Sequence, residues 1–372
     1  MATALGGLVI IGVMIAGVFF TSNQELRVGT NIFVQERAFR AAEFGINASL
    51  ASWKNSEMLL LPIGGTKEIV YDSSSQGWRD TVTITRLNAT GYLIGSTGTA
   101  FGGIQGSSRR RTALLVRISV PSLSTKAAVT AGGDVQLTSE PIVGLDTSPL
   151  AWLDCPLPED SVAAVVVPDS SDVLFTRKDC PLDVCLVGSP KLLATPAATD
   201  LTTYNDFVDE TFSGLTSLGA KVFNSSSSIP NSFGPVVTDG SCNTTALKNL
   251  GDPARGNPAG ACESYFPIIH SEGAGYTLTL RGGSGQGILL VDGDLEIAGD
   301  FQFYGPVIVK GKFAGKNSAK IHGALMVANS AGGANTFANT STVTYSSCAI
   351  KKAFANAIPP KRVVERAWME AF

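Results

Sequence analysis

Two histidines, six cysteines and a loose group of aspartates are the side chains of this 372-residue chain whose types and spacing bear on chemistry. His270 and His322 stand alone, with no His-x-x-x-His, Cys-x-x-Cys, Gly-x-Ser-x-Gly or phosphate-loop pattern around them. Acid–base or metal chemistry needs a partner group within reach, and the sequence places none beside either histidine. His322 precedes Gly323 and is expected as an exposed turn residue. Asp292, Asp294 and Asp300 gather around two glycine corners; calcium binding is one reading and simple solubility the better one. Arg109-Arg110-Arg111 is the one basic run. Without interleaved aromatics it reads as solvated residues leading into a strand, not as a nucleic-acid contact. The expectation is no enzyme activity, and no catalytic, cofactor-binding or metal-binding set.

The cysteines speak to compartment. Cys155, Cys180, Cys185, Cys242, Cys262 and Cys348 form an even set in the later part of the chain. After an apolar N-terminal segment, this favours three disulfides in an oxidising, extracytoplasmic setting. Cys180 and Cys185 are close enough to clip a small loop, and Cys242 with Cys262 another, which leaves Cys155 for Cys348. Asn-x-Ser/Thr triplets at Asn47, Asn88, Asn224, Asn243 and Asn339 are frequent by chance in so Ser/Thr-rich a chain. A net charge of −3 is too small to recruit nucleic acid or a membrane surface by field alone, and none is expected as such a partner. Forty glycines with 16% charged residues point to β-structure with tight corners.

The element that must organise the rest is the N-terminal stretch. No charge occurs from Met1 to Gln24, and Gly6 to Phe20 is almost wholly apolar. Charges begin at Glu25 and Arg27, and no proline interrupts the chain before Pro62. About 20 apolar residues in a helix cover roughly 30 Å, the thickness of a bilayer's hydrocarbon. Further on, Ile32, Phe39, Ile46 and Trp53 recur every seven residues, a stripe expected to lie on a sheet. Nothing basic precedes the apolar run, which argues against a secretory signal peptide. A plain membrane anchor would leave the stripe without a purpose.

This stretch resembles the mature end of type IV pilins. Within them it is most similar to a minor-pilin class whose first helix closes on a box like Ala38-Phe39-Arg40-Ala41-Ala42-Glu43-Phe44-Gly45, and Gln24-Glu25-Leu26-Arg27 also looks like that class. The resemblance implies a long helix on a small antiparallel sheet. It also implies an assembly surface that includes Met1, Leu5, Ile10, Ile15, Phe19, Phe20, Glu25 and Arg27. Partners would be copies of the chain or other pilins, the pilus assembly machinery, and the cytoplasmic membrane before assembly; the final location would be an extracellular filament. Met1 would be the mature end left by leader removal, its amine free or methylated. One departure is Leu5, where pilins commonly carry Glu to pair with a neighbour's amine. A charge in hydrocarbon is costly unless paired, so Leu5 is comfortable but removes a register device, which leans toward a tip subunit.

Past Trp53 the pattern shortens to alternating runs. Residues 68–71, 81–85, 91–94 and 114–120 read as four antiparallel strands within 55–125. Residues 126–275 read as irregular and disulfide-clipped, with a strand at 132–137, a helix near 205–217 and room for a further coil. From 276 to 348 a period of six appears: Gly287, Gly293, Gly299, Gly305, Gly311 and Gly323, with Asn317 standing in once and Asn329 closing the series. The second and fourth residues after each corner are apolar, as a three-sided β-helix with an 18-residue coil requires. Leu289, Val307, Leu325 and Val343 should then form one internal column. One face is apolar outside as well, through Ile288, Leu290, Pro306, Ile308, Ala324 and Met326, and so should be covered. The 68–120 sheet, the terminal helix or a neighbouring subunit are the candidate covers. Residues 349–372 should end in a short helix from Pro359, with Val364, Ala367, Trp368 and Ala371 on one face.

The class expected is therefore α+β: an N-terminal helix over 1–54, a small sheet and a C-terminal β-helix. The leading function is that of a structural filament subunit. A membrane-tethered β-helix protein that binds or processes carbohydrate is the alternative.

Overall fold

The computed structural model describes the chain apart from residues 1, 103–105, 119–122, 124, 139–140, 151, 153–154, 156–160, 177–179, 208–209, 219–220, 255–259, 331, 359, 363–367 and 372. Side chains at 2–5, 8–9, 56, 74, 361–362 and 368–371 also lie outside the description. The fold is α+β, with one long N-terminal helix, a small antiparallel sheet and larger parallel sheets. It divides into two units, Met1–Ile118 with Pro360–Phe372, and Ser119–Pro359.

The first unit is built on helix α1, Ala2–Ala51. Strands β1 (Thr66–Ser73), β2 (Trp78–Arg86), β3 (Gly91–Gly102) and β4 (Gly106–Arg117) form an antiparallel meander in that order. On β2 to β4 every second residue is buried, among them Val82, Ile84, Tyr92, Ile94, Leu114 and Val116. Arg109 to Arg111 sit inside β4, not ahead of it, and Arg110 donates to Gln35 Oε1 on α1 at 3.0 Å.

The face of α1 that meets the sheet is not the expected stripe. Val34, Ala38, Ala41, Ala42, Gly45, Ile46 and Ser49 are buried, while Ile32 is 61% exposed and Phe39 and Trp53 are half-buried. A helix turning every 3.6 residues drifts by about 20° per seven residues. A stripe spaced by sevens therefore slides off the contact, and Ile46 is its one fully buried member. The true face is made of small side chains, which let the backbones approach. A methyl placed on Gly98 of β3 would overlap Ala38 O and crowd Ala42 N. Trp53 closes the far end, its ring edge-on to Tyr92 at 5.4 Å and its Nε1 donating to Asn55 Oδ1 at 2.7 Å.

The chain's end corrects a second expectation. Lys361–Arg362 and Trp368–Ala371 are strands pairing antiparallel with β4, with Trp368 opposite Leu114 and Ala371 opposite Arg111. Val364 and Ala367 lie outside the described residues. A helix this short is marginal alone, whereas an open edge of β4 offers a full set of backbone partners. The second unit is thus inserted in sequence between two strands of the first unit's sheet.

In the second unit the hexads form parallel ladders. Leu289 pairs with Val307 and Val307 with Leu325; Phe303 pairs with Ile321, and Leu295 with Phe313. Each step is 18 residues. The inward residues expected from the hexad rule are buried, from Leu289 and Val291 through Phe301 and Phe303 to Leu325 and Val327. Gly305 and Gly323 hold φ of +138° and +150°, and a methyl on either would overlap the carbonyl of the glycine one step before. Asn317 and Asn329 take φ of 57° and 54°, the left-handed conformation Asn tolerates.

After Val327 the regular step is lost. Ile321 pairs with Val343, a step of 22, because the loop around Gly332 and Gly333 lengthens the coil. Leu325 is followed by Val129, not Val343. Residues 126–194, expected to be largely irregular with a strand at 132–137 and room for a further coil, carry that strand and several further ladder strands. Ala127–Ala131, Val135–Leu137 and Ile142–Val143 pair onto 324–345, and Ala163–Val167, Val173–Phe175 and Leu186–Val187 pair onto those. The spatial order is therefore permuted: the chain enters mid-stack, builds to one end at Leu192–Ala194, then resumes at the other end with Lys221–Phe223. The helix expected near 205–217 is two single turns, Thr202–Asn205 and Phe212–Thr216, separated by a two-residue hairpin.

Candidate functional site

Three places collect the residues the sequence singled out. The first is α1 upstream of the sheet. Ile10, Ile15, Phe19 and Phe20 are 60%, 65%, 71% and 64% exposed, and Leu26, Val28, Ile32 and Phe33 are also bare. Glu25 and Arg27 are exposed on the same helix. Met1 is outside the described residues, as is the side chain of Leu5. Among the described residues no helix is long and apolar enough to cross a membrane.

The second place is the seat of α1 on the sheet, where the Ala38–Gly45 box finds its partners. Gly45 faces Asp80 of β2, and any side chain there would overlap Asp80 Oδ2. Asp80 is fully buried; its Oδ1 accepts from Ser96 Oγ at 2.7 Å and its Oδ2 has no partner among the described residues. Burial pushes the Asp80 carboxyl up to about 6, against the hydrogen bonds from Ser96 and the Thr81 backbone. Ser96 stands opposite Thr112 of β4, also buried, whose hydroxyl likewise has none among the described residues. Beside this line, Phe44 packs edge-on against Tyr71 (5.8 Å) and Trp78 (5.3 Å), and Arg37 donates to Gln76 O. Sequence reasoning missed Asp80, because a carboxylate in an alternating strand reads as outward. The available signal was the pair Gly45 and Gly98, each a gap that a buried group or backbone must fill.

The third place is the outside of the ladders. Ile288, Leu290, Pro306, Ile308, Ala324 and Met326 are all buried. The helix Ser347–Ala357, N-capped by Ser346, lies on strands 288–291, 302–309 and 320–327 with Ile350, Ala353 and Phe354 buried. This helix gives the face part of its cover from within the same unit and was not among the expected candidates, while Met326 lines a hollow with Leu123, Val166 and Ala198.

His322 does not sit as the exposed turn residue the sequence suggested, and His270 has an acidic neighbour. His322 is half-buried, its ring stacked on Tyr304 at 4.5 Å, with Trp152 stacked on Tyr304 in turn at 5.7 Å. Burial, aided by Lys320, holds the His322 imidazole down to about 4, so it is neutral at physiological pH. His270 Nε2 lies 3.0 Å from Asp292 Oδ2, while Asp292 Oδ1 accepts from Lys310 Nζ at 3.1 Å. Burial would raise the Asp292 carboxyl, but the bonds from Lys310 and His270 outweigh it and hold the group below the usual range. Lys310 also sits over the Phe212 ring at 3.8 Å. Asp294 accepts from the Lys312 backbone at 2.8 Å, and Asp300 is exposed. Among the described residues no three His, Cys, Asp or Glu side chains converge as metal ligands would.

The disulfides are Cys155–Cys348, Cys180–Cys185 and Cys242–Cys262. No family model, curated protein or solved structure matches the chain.

Proposed function

We propose that this chain is a structural subunit of a type IV pilus-like filament, polymerising through α1. The observation that carries the reading is the division of one continuous helix. From Val34 to Ser49 its small-residue face is covered by the sheet, whereas from Ile10 to Phe33 its large apolar side chains have no cover. Bare apolar surface of that extent drives association. In this reading residues 1–24 lie in the cytoplasmic membrane before assembly and then pack against the same helices of neighbouring subunits, copies of this chain or other pilins. The parallel ladders wind as a three-sided β-helix. The 18-residue register and the glycine and asparagine corners support that winding.

Shearing the source cells and imaging the released material tests the proposal. Filaments that bind an antibody against residues 126–359 are expected, and Phe19→Asp should abolish them while leaving the chain in the cells. Retention of the unaltered chain in the membrane fraction alone, with no filaments, would sink the reading.

A further inference from the structure

Beside the strand Lys221–Phe223, at the end of the ladders, lies a cleft of about 410 Å³ that neither the ladders nor α1 requires. Its lining includes Lys221, Thr244, Thr245, Ser264, Tyr265 and Asn356. We infer that this cleft binds an acidic saccharide, a hexuronate unit whose carboxylate meets Lys221 and whose hydroxyls meet the surrounding polar groups. The inference goes beyond the filament reading and does not rest on it.

Charge decides the first half of the argument. Lys221 Nζ donates to Thr244 O at 2.9 Å and to Ala246 O at 2.8 Å, and lies 5.8 Å from the centre of the Tyr265 ring. An ammonium has three N–H donors, so one remains. Among the described residues no carboxylate pairs with it, and no acidic side chain lines the cleft. Burial lowers the Lys221 ammonium from its ordinary value, the mark of a cation short of compensation. One cation with one donor to spare suits a singly charged carboxylate. Phosphate calls for more donors and more charge.

The second half is shape and polarity. At about 410 Å³ the cleft falls in the range of small-molecule sites, roughly 300–1,000 Å³. Thr244, Thr245, Ser264, Tyr265 and the Asn356 amide give the lining its polar groups, beside Leu218, Phe266, Pro267, Ile268 and Ala357, a mixture that suits the hydroxyls and the apolar ring face of a sugar. Tyr265 Oη donates to Thr244 O at 3.1 Å and Asn356 Nδ2 to Lys352 O at 2.8 Å, which leaves their oxygens to accept from a ligand. The rim is held before any ligand arrives. Cys242–Cys262 ties its two arms together, Asn243 Oδ1 accepts from Thr245 N and Ala246 N at 3.1 Å each, and Gln286 Nε2 donates to Glu263 O at 2.8 Å and Tyr265 O at 2.9 Å. A fixed rim spares the ligand the entropy of ordering it.

The test is saturation-transfer NMR on the full chain in detergent, titrated with sodium glucuronate, with glucose as its neutral twin and inorganic phosphate as a bare anion. Glucuronate should bind in the millimolar range, with glucose weaker by at least about ten-fold, the loss of one charge-assisted hydrogen bond. Lys221→Met should lose a similar factor and Lys221→Arg much less. Because Lys221 also serves two carbonyls, Ser264→Ala and Asn356→Ala, checked by unchanged melting, carry the test if Lys221→Met fails to fold; each should weaken glucuronate. Equal binding of glucose, full displacement by phosphate, indifference to all folded variants, or no binding at millimolar glucuronate would each overturn the inference.

Discussion

Asp80 is the residue on which the first unit's stability turns. Its carboxyl titrates at about 6 in the fold against 3.8 unperturbed. The folded state therefore favours the protonated form. The stabilisation is fully present below about pH 3.8 and is lost as pH rises through about 6, a change of about 3 kcal/mol. The first unit should thus resist denaturant better at pH 4.5 than at pH 8. Asp80→Asn, which keeps an acceptor for Ser96, should be the more stable protein at pH 8 and should lack that difference. Urea titrations followed by Trp53 and Trp78 fluorescence at both pH values check this; the same pH dependence in the variant would assign it to another group. His322, neutral and stacked, contributes in the second unit with the reverse sign, since its folded value near 4 lies below the ordinary 6.5. Its stabilisation is present above about pH 6.5 and fades as pH falls toward 4, opposite in direction to that of Asp80.

At the scale of elements, the contact between α1 and the sheet depends on glycine where the backbones meet. Gly98→Ala places a methyl against Ala38 O and Ala42 N and should cost about 1–3 kcal/mol, the usual penalty of overpacking. Gly95→Ala on the same strand meets nothing nearer than Thr83 O at 3.8 Å and should change stability by less than about 0.5 kcal/mol. Thermal melts of the two variants side by side are the measurement, and equal losses would show that strand propensity, not the helix contact, sets the cost. The ladder corners invite a parallel comparison. Gly323→Ala combines positive φ with a backbone overlap and should destabilise the second unit strongly, while Gly275→Ala, with open space around it, should be tolerated.

For the whole molecule, the permuted order of the ladders creates a seam between residues 127–147 and 335–347. Side chains staple it: Thr138 to Phe337 O at 2.8 Å, Asn335 to Asp134 O at 3.1 Å, and Ser347 Oγ to Asp146 Oδ2 at 2.6 Å. Cys155–Cys348 joins the chain just beyond the same two stretches, across a sequence separation of 193, against 5 for Cys180–Cys185. Constraint of the unfolded chain grows with loop length. Replacing Cys155 and Cys348 by Ser should cost the second unit about 2–5 kcal/mol, and replacing Cys180 and Cys185 distinctly less. Denaturant midpoints of the two double variants check the order, and non-reducing peptide mapping checks the pairing; six free thiols would remove the premise of an oxidising compartment.

Much of this architecture was legible in the residues themselves. The hexad rule marked the inward positions from Leu289 to Val327, the apolar outer face was recognisable as one that must be covered, and cysteine spacing pointed to the pairs that form. These are short-range properties: a corner every six residues or a small disulfide loop is written within one stretch of chain. What the tertiary structure decided was which segment meets which. Leu325 lies on Val129 and not beneath Val343, because a longer coil around Gly332 shifts the register and an open parallel edge accepts any strand that fits it. The chain's last residues became strands on β4 for the same reason, since backbone edges carry no label. The stripe on α1 moved from Ile32 and Phe39 to Ala38, Ala42 and Gly45. Hydrophobicity shows which residues would gain by burial, but how closely two backbones approach is settled only where both are present, at Gly45 and Asp80.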